Sequence, residues 1–117
     1  MPRRVLYILS SNYSGSHYLS LLLGSHSRLA HVGEIRHRRR PGRPHRNRCH
    51  LCDPPESCPL VRGITPEAID RVYDQLWSNL GDPDLTLVDA SKRIPWAERF
   101  AARDDLDRRY VHLLSDP

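Results

Sequence analysis

The chain is short of aromatic residues and of lysine, and each shortage narrows what it can be. Hydrophobic residues make up 38% of its 117 positions and aromatic residues 7%, which allows one domain with a modest core. Lys92 is the single lysine among 18 basic residues, and the others are all arginine. Such a skew throughout a chain is typical of genome base composition, so the basic isoelectric point is weak evidence for nucleic-acid binding.

Long apolar runs are also absent. No run approaches the roughly 18 residues that a membrane-spanning helix needs, and the short apolar stretch before Ser10 does not suit a secretory signal. Cys49, Cys52 and Cys58 lie within ten residues of one another. An odd, clustered set of cysteines without a signal favours a reducing compartment over a disulfide framework. The sequence therefore predicts a cytoplasmic location and no membrane partner.

Acidic residues are missing from one stretch of the chain. Seven arginines and no aspartate or glutamate lie between Arg36 and Arg48, and without these seven charges the formal net charge of +4 becomes −3. The tract and the cysteine-containing segment after it show neither a helix nor a strand period. We therefore interpret residues 36–63 as an insertion loop, mobile unless something binds it, within a single domain spanning residues 1–117.

The basic tract itself has two open interpretations. It could attract an acidic acceptor or a nucleic acid, or it could be a solvated loop without a partner. It lacks the aromatic residues on which unpaired bases stack, which argues against a nucleic-acid partner.

The hydrophobic pattern predicts alternating strands and helices. Strands are expected at residues 5–9, 29–32, 85–89 and 110–114, and helices at 18–23, 65–80 and 95–103. The helix from residue 65 has the clearest signals, since threonine, proline and glutamate open it and Gly81 follows it. Residues 90–92 are expected in a turn. This order of elements favours an α/β fold with a mostly parallel sheet.

Residues 10–24, SSNYSGSHYLSLLLG, have the outline of a phosphate-binding loop. Gly15 permits a tight turn, the amides of residues 14–17 open onto a helix N-terminus, and Ser14 and Ser16 add hydroxyl groups. The stretch lacks the G-x-x-x-x-G-K-[ST] pattern of a Walker A loop and contains no lysine or arginine. A strand-to-helix turn without a ligand remains the alternative.

Further polar groups follow the other predicted strands. In parallel α/β sheets, ligands bind beyond the carboxyl ends of the strands. Glu34, residues 91–92 and residues 115–116 all come directly after a predicted strand or at its end. We therefore expect them to lie near the 14–17 turn.

Taken in order, these segments resemble the sulfotransferases that use 3′-phosphoadenosine 5′-phosphosulfate (PAPS). YSGSHYLSLLLGSHSRLAHVGE resembles their 5′-phosphosulfate loop region, and LVDASKRIPWAERF resembles their Val-Asp-x-Ser-Lys segment. YVHLLSDP is similar to the strand that enters their 3′-phosphate loop. CHLCDPPESCPL is similar to a cysteine-containing insertion of many bacterial members.

The resemblance implies a P-loop-like three-layer α/β fold and transfer of a sulfuryl group from PAPS to a hydroxyl or amine acceptor, with no metal required. Glu34 matches the family's catalytic glutamate, which would accept the acceptor's proton. Lys92 matches the lysine of the Ser-Lys pair and is the second catalytic candidate. The implied cofactor-binding residues are Tyr13, Ser14, Gly15, Ser16, His17, Ser91 and Ser115.

The sequence departs from the family pattern at two positions. Tyr13 stands where the family has a basic residue shortly before the loop glycine, and Ser115 stands where its 3′-phosphate loop has an arginine. Lys92 or His17 could supply the missing positive charge, the histidine when protonated. Because complete domains of this family are longer, the resemblance implies the N-terminal portion of a truncated domain.

Alternative functions follow from the departures and from the cysteines. One is a non-catalytic remnant of the same fold that binds no nucleotide. Another is a zinc-stabilised nucleic-acid-binding module on residues 36–62, in which Cys49, Cys52 and Cys58 join His45 or His50 in a tetrahedral site. Zinc is possible but not expected, because reduced thiols that pack a loop explain the same pattern.

Overall fold

The structure is a computed structural model that describes residues 3–10, 15–39 and 58–113, with only the backbone of residues 16, 17 and 39. The chain forms two compact units. The first consists of Met1–Glu34 and Asp84–Pro117, and the second of Ile35–Pro83. The second unit thus contains the predicted insertion together with the helix that follows it.

The first unit is a parallel β-sheet with helices, which confirms the α/β class. Its described strands are β1 (Arg3–Leu9), β2 (Leu29–Gly33), β3 (Thr86–Lys92) and β4 (Leu106–His112). Its helices are α1 (Ser16–Gly24) and α3 (Ile94–Glu98). The helix α2 (Val72–Leu80) lies between them in the chain and belongs to the second unit. The four strands are all parallel and lie in the order β2-β3-β1-β4.

The strand order creates a switch point between β1 and β3. After β1 the chain crosses to β2 at one edge of the described sheet, whereas after β3 it crosses to β4 at the other edge. The two neighbouring strands therefore send their following segments in opposite directions. In open α/β sheets such a divergence leaves a crevice at the carboxyl ends, where ligands bind.

The two central strands form the core because they are apolar on both faces. On one face Ile8, Val88 and Ala90 are fully buried and pack against leucines that include Leu19 and Leu23 of α1. On the other face Trp96 of α3 meets Phe100 edge-on, with 5.0 Å between the ring centroids. Strand side chains alternate between the two faces of the sheet, so each central strand contributes buried residues to both faces.

Three boundaries predicted for this unit were wrong. Residues 90–92 belong to β3 rather than to a turn, and β4 runs over Leu106–His112 rather than 110–114. The predicted helix 95–103 is the shorter α3, with turns after it. The apolar pattern did not include the polar end of β3, where Ser91 is buried, or the charged residues of β4, which pair with β1.

The second unit contains the predicted helix at 65–80 in two parts. Pro66–Arg71 is a 3-10 helix in which Ala68 has non-helical backbone angles, and α2 (Val72–Leu80) continues from it. Gly81, with a φ of 73°, ends α2 in the left-handed region. The buried side chains confirm the predicted apolar stripe: Ile69, Val72, Tyr73, Leu76 and Trp77.

The predicted insertion is more regular than expected where the structure describes it. Ile35–Arg39 is a 3-10 helix with Ile35 and Arg38 buried, so the expectation that no helix occurs here was wrong for these residues. At the other end, the amide of Asn79 donates to the carbonyls of Leu60 and Arg62 at 2.8 and 2.7 Å. In the part of the chain that the structure describes, no helix is both long enough and apolar enough to span a membrane.

Candidate functional site

The structure brings Glu34 and Lys92 together. Glu34 follows β2 and Lys92 ends β3, and these strands are neighbours in the sheet. The Nζ atom of Lys92 lies 3.1 Å from Oε1 of Glu34, and the two side chains are 14% and 29% exposed. Because the pair is largely shielded from water, salt screens it less than an ion pair on the open surface. The two residues predicted to be catalytic thus form one charged site at the carboxyl edge of the sheet.

The backbone of Lys92 is strained. Its φ is +73°, and among the described residues it is the non-glycine residue with a positive φ. The left-handed conformation costs an L-residue roughly 1–2 kcal/mol. Strained backbone of this kind occurs preferentially at functional sites, where the surrounding structure enforces it.

A β-bulge sets the position of Lys92. Tyr7 pairs with Asp89 and Leu9 pairs with Lys92, so β3 has two residues opposite the single Ile8 of β1. Without the extra residue, Ser91 would lie opposite Leu9. Bulges redirect side chains at strand ends, and this one places the lysine, rather than the serine, at the switch point.

Asp89 lies beneath this site and was not among the residues that we predicted for it. It is fully buried, and one carboxylate oxygen accepts hydrogen bonds from the Ser91 amide at 2.9 Å and the Ser91 hydroxyl at 2.5 Å. The other oxygen accepts the indole N–H of Trp96 at 2.8 Å. The hydroxyl of Ser91, expected to bind the cofactor, thus donates a hydrogen bond to Asp89 within the protein. An acidic residue within an apolar strand was the signal in the sequence for this cluster.

The loop glycine has the conformation that a tight turn requires. Gly15 is the N-cap of α1, with φ and ψ of 87° and 11°, and its carbonyl accepts the first helical hydrogen bond from Leu19 at 3.0 Å. The amides before Leu19 have no partner within the helix, and the helix dipole makes this end electropositive. The start of α1 is therefore suited to an anion.

Ser10 is a further polar residue that the sequence did not single out. It follows the last residue of β1, its side chain is only 9% exposed, and its backbone amide donates to the carbonyl of Lys92 at 3.4 Å. Its hydroxyl oxygen has no hydrogen-bond partner among the described residues. A buried hydroxyl without a partner is costly, so a ligand oxygen at this position would be stabilising.

Several predicted site residues lie outside what the structure describes. Tyr13, Ser14, Ser115, Cys49 and Cys52 are among these, as are His45 and His50. Ser16 and His17 are described only as backbone at the start of α1.

The third cysteine of the predicted zinc site is described. Cys58 is a buried cysteine in the second unit. Among the described residues, no three histidine, cysteine or acidic side chains are grouped so that they could hold a metal ion. The described part of the chain therefore adds no support for zinc.

Comparisons with protein-family models, with curated protein sequences and with solved structures found no match for this chain. What the site can do follows from its own chemistry. It combines a proton acceptor, a lysine cation, a helix N-terminus and a buried hydroxyl, which follow or end the neighbouring strands β1, β2 and β3. This is a set of groups for binding an anion next to a group that loses a proton.

Proposed function

We propose that this chain is the PAPS-binding portion of a sulfotransferase, which transfers a sulfuryl group to a hydroxyl or amine acceptor. The observation that carries the proposal is the Lys92–Glu34 pair at the switch point, 3.1 Å between Nζ and Oε1. It supplies a base and a cation at the carboxyl edge where the sequence motifs expect both. PAPS is proposed as the donor because the motifs resemble, in the same order, those of the sulfotransferases that use it.

The residues present fit a doubly anionic group such as a phosphosulfate. The start of α1 follows the carboxyl end of β1 in the chain, and Gly15 gives the backbone the conformation that begins this helix. Free amides at a helix start suit an anion. Lys92, the single lysine of the chain, contributes a positive charge. The hydroxyl of Ser10 adds a buried donor that has no other partner among the described residues.

The transfer itself requires one proton acceptor. PAPS supplies a sulfuryl group whose bond to the 5′-phosphate oxygen breaks, and that oxygen keeps the electron pair. As a lone pair of the acceptor oxygen or nitrogen forms the new bond to sulfur, Glu34 takes the acceptor's proton. Lys92 and the amides of α1 stabilise the negative charge that develops on the departing phosphate.

The ion pair gives Glu34 a second state. In the structure Oε1 of Glu34 is bound to Lys92, so this oxygen is occupied while no anion competes for the ammonium group. A bound phosphosulfate attracts the same ammonium group, and the carboxylate oxygen becomes available for a proton. Binding of the anion thus prepares the base.

Calorimetric titration with 3′-phosphoadenosine 5′-phosphate tests the proposal. We expect Lys92→Ala to weaken binding at least about tenfold, because it removes a charged hydrogen bond worth roughly 1.5–3 kcal/mol. Glu34→Gln frees the lysine and is expected to leave affinity unchanged or to raise it. Arg109→Ala, which removes a positive charge on β4, is the matched control and should have no effect.

Two outcomes would contradict the proposal. No measurable binding by the unmodified chain would favour the non-catalytic remnant. Equal affinities for the unmodified chain and Lys92→Ala would show that the ion pair is not part of the nucleotide site.

A further inference from the structure

The proposed transfer does not use the buried carboxylate of Asp89. Burial of a charge in a sheet is expensive unless it is fully hydrogen-bonded. Three of the groups that contact Asp89 are hydrogen-bond donors, namely the amide and hydroxyl of Ser91 and the indole N–H of Trp96. The two oxygens of a carboxylate can accept from all three.

The bond to the Ser91 amide stabilises the β-bulge. The extra residue of a bulge leaves a backbone group without its ladder partner. Here the Asp89 side chain accepts the amide two residues further on at 2.9 Å, which closes a local turn of the kind that aspartate favours. The same oxygen also accepts the Ser91 hydroxyl at 2.5 Å, so Ser91 is held through both its backbone and its side chain.

Lys92 comes directly after this doubly held residue. Its register opposite Leu9 requires the bulge, and its φ of +73° is a conformation that lysine does not adopt without support. This backbone conformation determines where the side chain of Lys92 begins, and so where its ammonium group lies relative to Glu34.

We propose that Asp89 is a positioning residue: its carboxylate holds the bulge at Ser91, and the bulge places Lys92 against Glu34. The effect of Asp89 on sulfuryl transfer rests on the proposed function. Its effect on the geometry of Lys92 does not, and the two can be measured separately.

The single lysine makes the geometry directly observable. When the chain is labelled with 15N-lysine, its one side-chain ammonium signal belongs to Lys92. Ammonium protons that are exposed to water exchange too fast to be seen at neutral pH, whereas those held in an ion pair give a signal. We expect a signal in the unmodified chain and its loss in Glu34→Gln, which calibrates the measurement.

The decisive variant is Asp89→Ala, which removes both hydrogen bonds to Ser91 because alanine has no acceptor in its side chain. We expect it to lose the Lys92 ammonium signal as Glu34→Gln does. Asp89→Glu keeps the charge, but its longer side chain does not fit the two-residue turn, so the signal is also expected to be lost. Far-UV circular dichroism reports whether each variant is folded, and trimethylamine N-oxide favours the folded state of a weakened one.

Trp96→Phe is the matched control. It removes one donor to the same carboxylate and disturbs the same core, but it leaves both bonds to Ser91 in place. We expect its ammonium signal to remain. A retained signal in Asp89→Ala, a retained signal in Asp89→Glu, or an equal loss in Trp96→Phe would each overturn the positioning role.

The same variants separate this inference from the proposed function. If the unmodified chain binds 3′-phosphoadenosine 5′-phosphate, Asp89→Ala should weaken binding by on the order of 10- to 100-fold, as loss of a supporting group does, and Trp96→Phe should not. If the unmodified chain does not bind it, the proposed function fails while the ammonium signals still decide the role of Asp89.

Discussion

Gly15 and Gly81 have similar backbone angles but lie at opposite ends of their helices. Gly15 begins α1 with a φ of +87°, and Gly81 ends α2 with a φ of +73°. A Cβ atom would meet nothing within 4 Å at either position. Both positions therefore select glycine through the backbone conformation and not through lack of space.

Alanine at either glycine should destabilise the protein without changing its packing. We expect Gly15→Ala and Gly81→Ala each to lower the free energy of unfolding by about 1 kcal/mol, measured by urea denaturation. Only Gly15→Ala should also reduce affinity for 3′-phosphoadenosine 5′-phosphate, because only Gly15 shapes the start of α1. Equal affinities in the two variants would remove Gly15 from the binding site.

The strain at Lys92 leads to a second prediction at this scale. Lys92→Ala and Lys92→Gly both remove the ion pair with Glu34, but only glycine adopts a φ of +73° without cost. We expect Lys92→Gly to be more stable than Lys92→Ala by about 1 kcal/mol. Thermal unfolding of the two variants measures the difference, and a more stable Lys92→Ala would show that the backbone relaxes.

At the scale of elements, charged side chains join β1 to β4. Asp107 of β4 accepts hydrogen bonds from Arg4 of β1 at 2.9 Å and from Arg109 at 2.8 Å. The hydrogen bond from Arg109, and then that from Arg4, lowers the pKa of Asp107 below its ordinary value of 3.8. In the turn before β4, the hydrogen bond from Arg103 lowers the pKa of Asp105 in the same way.

The direction of these shifts predicts how acid acts on the sheet. A carboxylate whose pKa is lower in the folded state stabilises that state above its unfolded pKa, and the stabilisation is lost as the pH falls through the folded pKa. We expect the denaturant concentration at the midpoint of unfolding to decrease as the pH is lowered below about 4. In Asp107→Asn the fall should be smaller.

Denaturation between about pH 6 and pH 2 measures this dependence. Asp104→Asn, at an exposed position in the turn before β4, is the control and should follow the unmodified chain. Because Asp107 pairs at the surface, high salt should reduce the difference in acid dependence between Asp107→Asn and Asp104→Asn. If the two variants lose stability equally below pH 4 at low salt, the β1–β4 ion pairs contribute nothing.

The sequence predicted elements better where apolar residues define them. The stripe of α2 and the run of β1 were both recognised, because burial of an apolar face has a regular spacing. β4 and the end of β3 were misplaced because their polar side chains interrupt the apolar pattern. In β4 the partner is distant in the chain, since Arg4 donates to Asp107, whereas at the end of β3 the Ser91 hydroxyl donates to nearby Asp89.

At the scale of the whole molecule, the cysteines allow a test of the metal hypothesis. Cys58 is a buried thiol in the second unit, and thiols buried in apolar surroundings are typically unreactive. We expect a chelator to leave the unfolding midpoint unchanged and metal analysis to find less than stoichiometric zinc. One zinc per chain together with a lower midpoint after chelation would establish the zinc-stabilised alternative.

The two units differ in how closely the sequence anticipated them. For the first unit, the order of strands and helices was predicted and the α/β class followed. For the second, the sequence indicated an insertion without regular structure followed by one helix, whereas Ile35–Arg39 and Pro66–Arg71 are 3-10 helices. Short 3-10 segments have no extended period by which a sequence could reveal them.

The sequence by itself determined the kinds of elements and their order, because apolar spacing, caps and turn residues act between neighbours in the chain. It also placed Glu34 and Lys92 near the ends of strands. Only the tertiary structure decided that β2 and β3 are neighbours, that a bulge shifts β3 by one residue, and that Asp89 supports it. The pairing and the bulge depend on hydrogen bonds between distant segments, whereas the bond of the Ser91 amide to Asp89 is local and acts on a bulge that this pairing creates. The 3.1 Å contact of Lys92 with Glu34 exists only after those segments have paired.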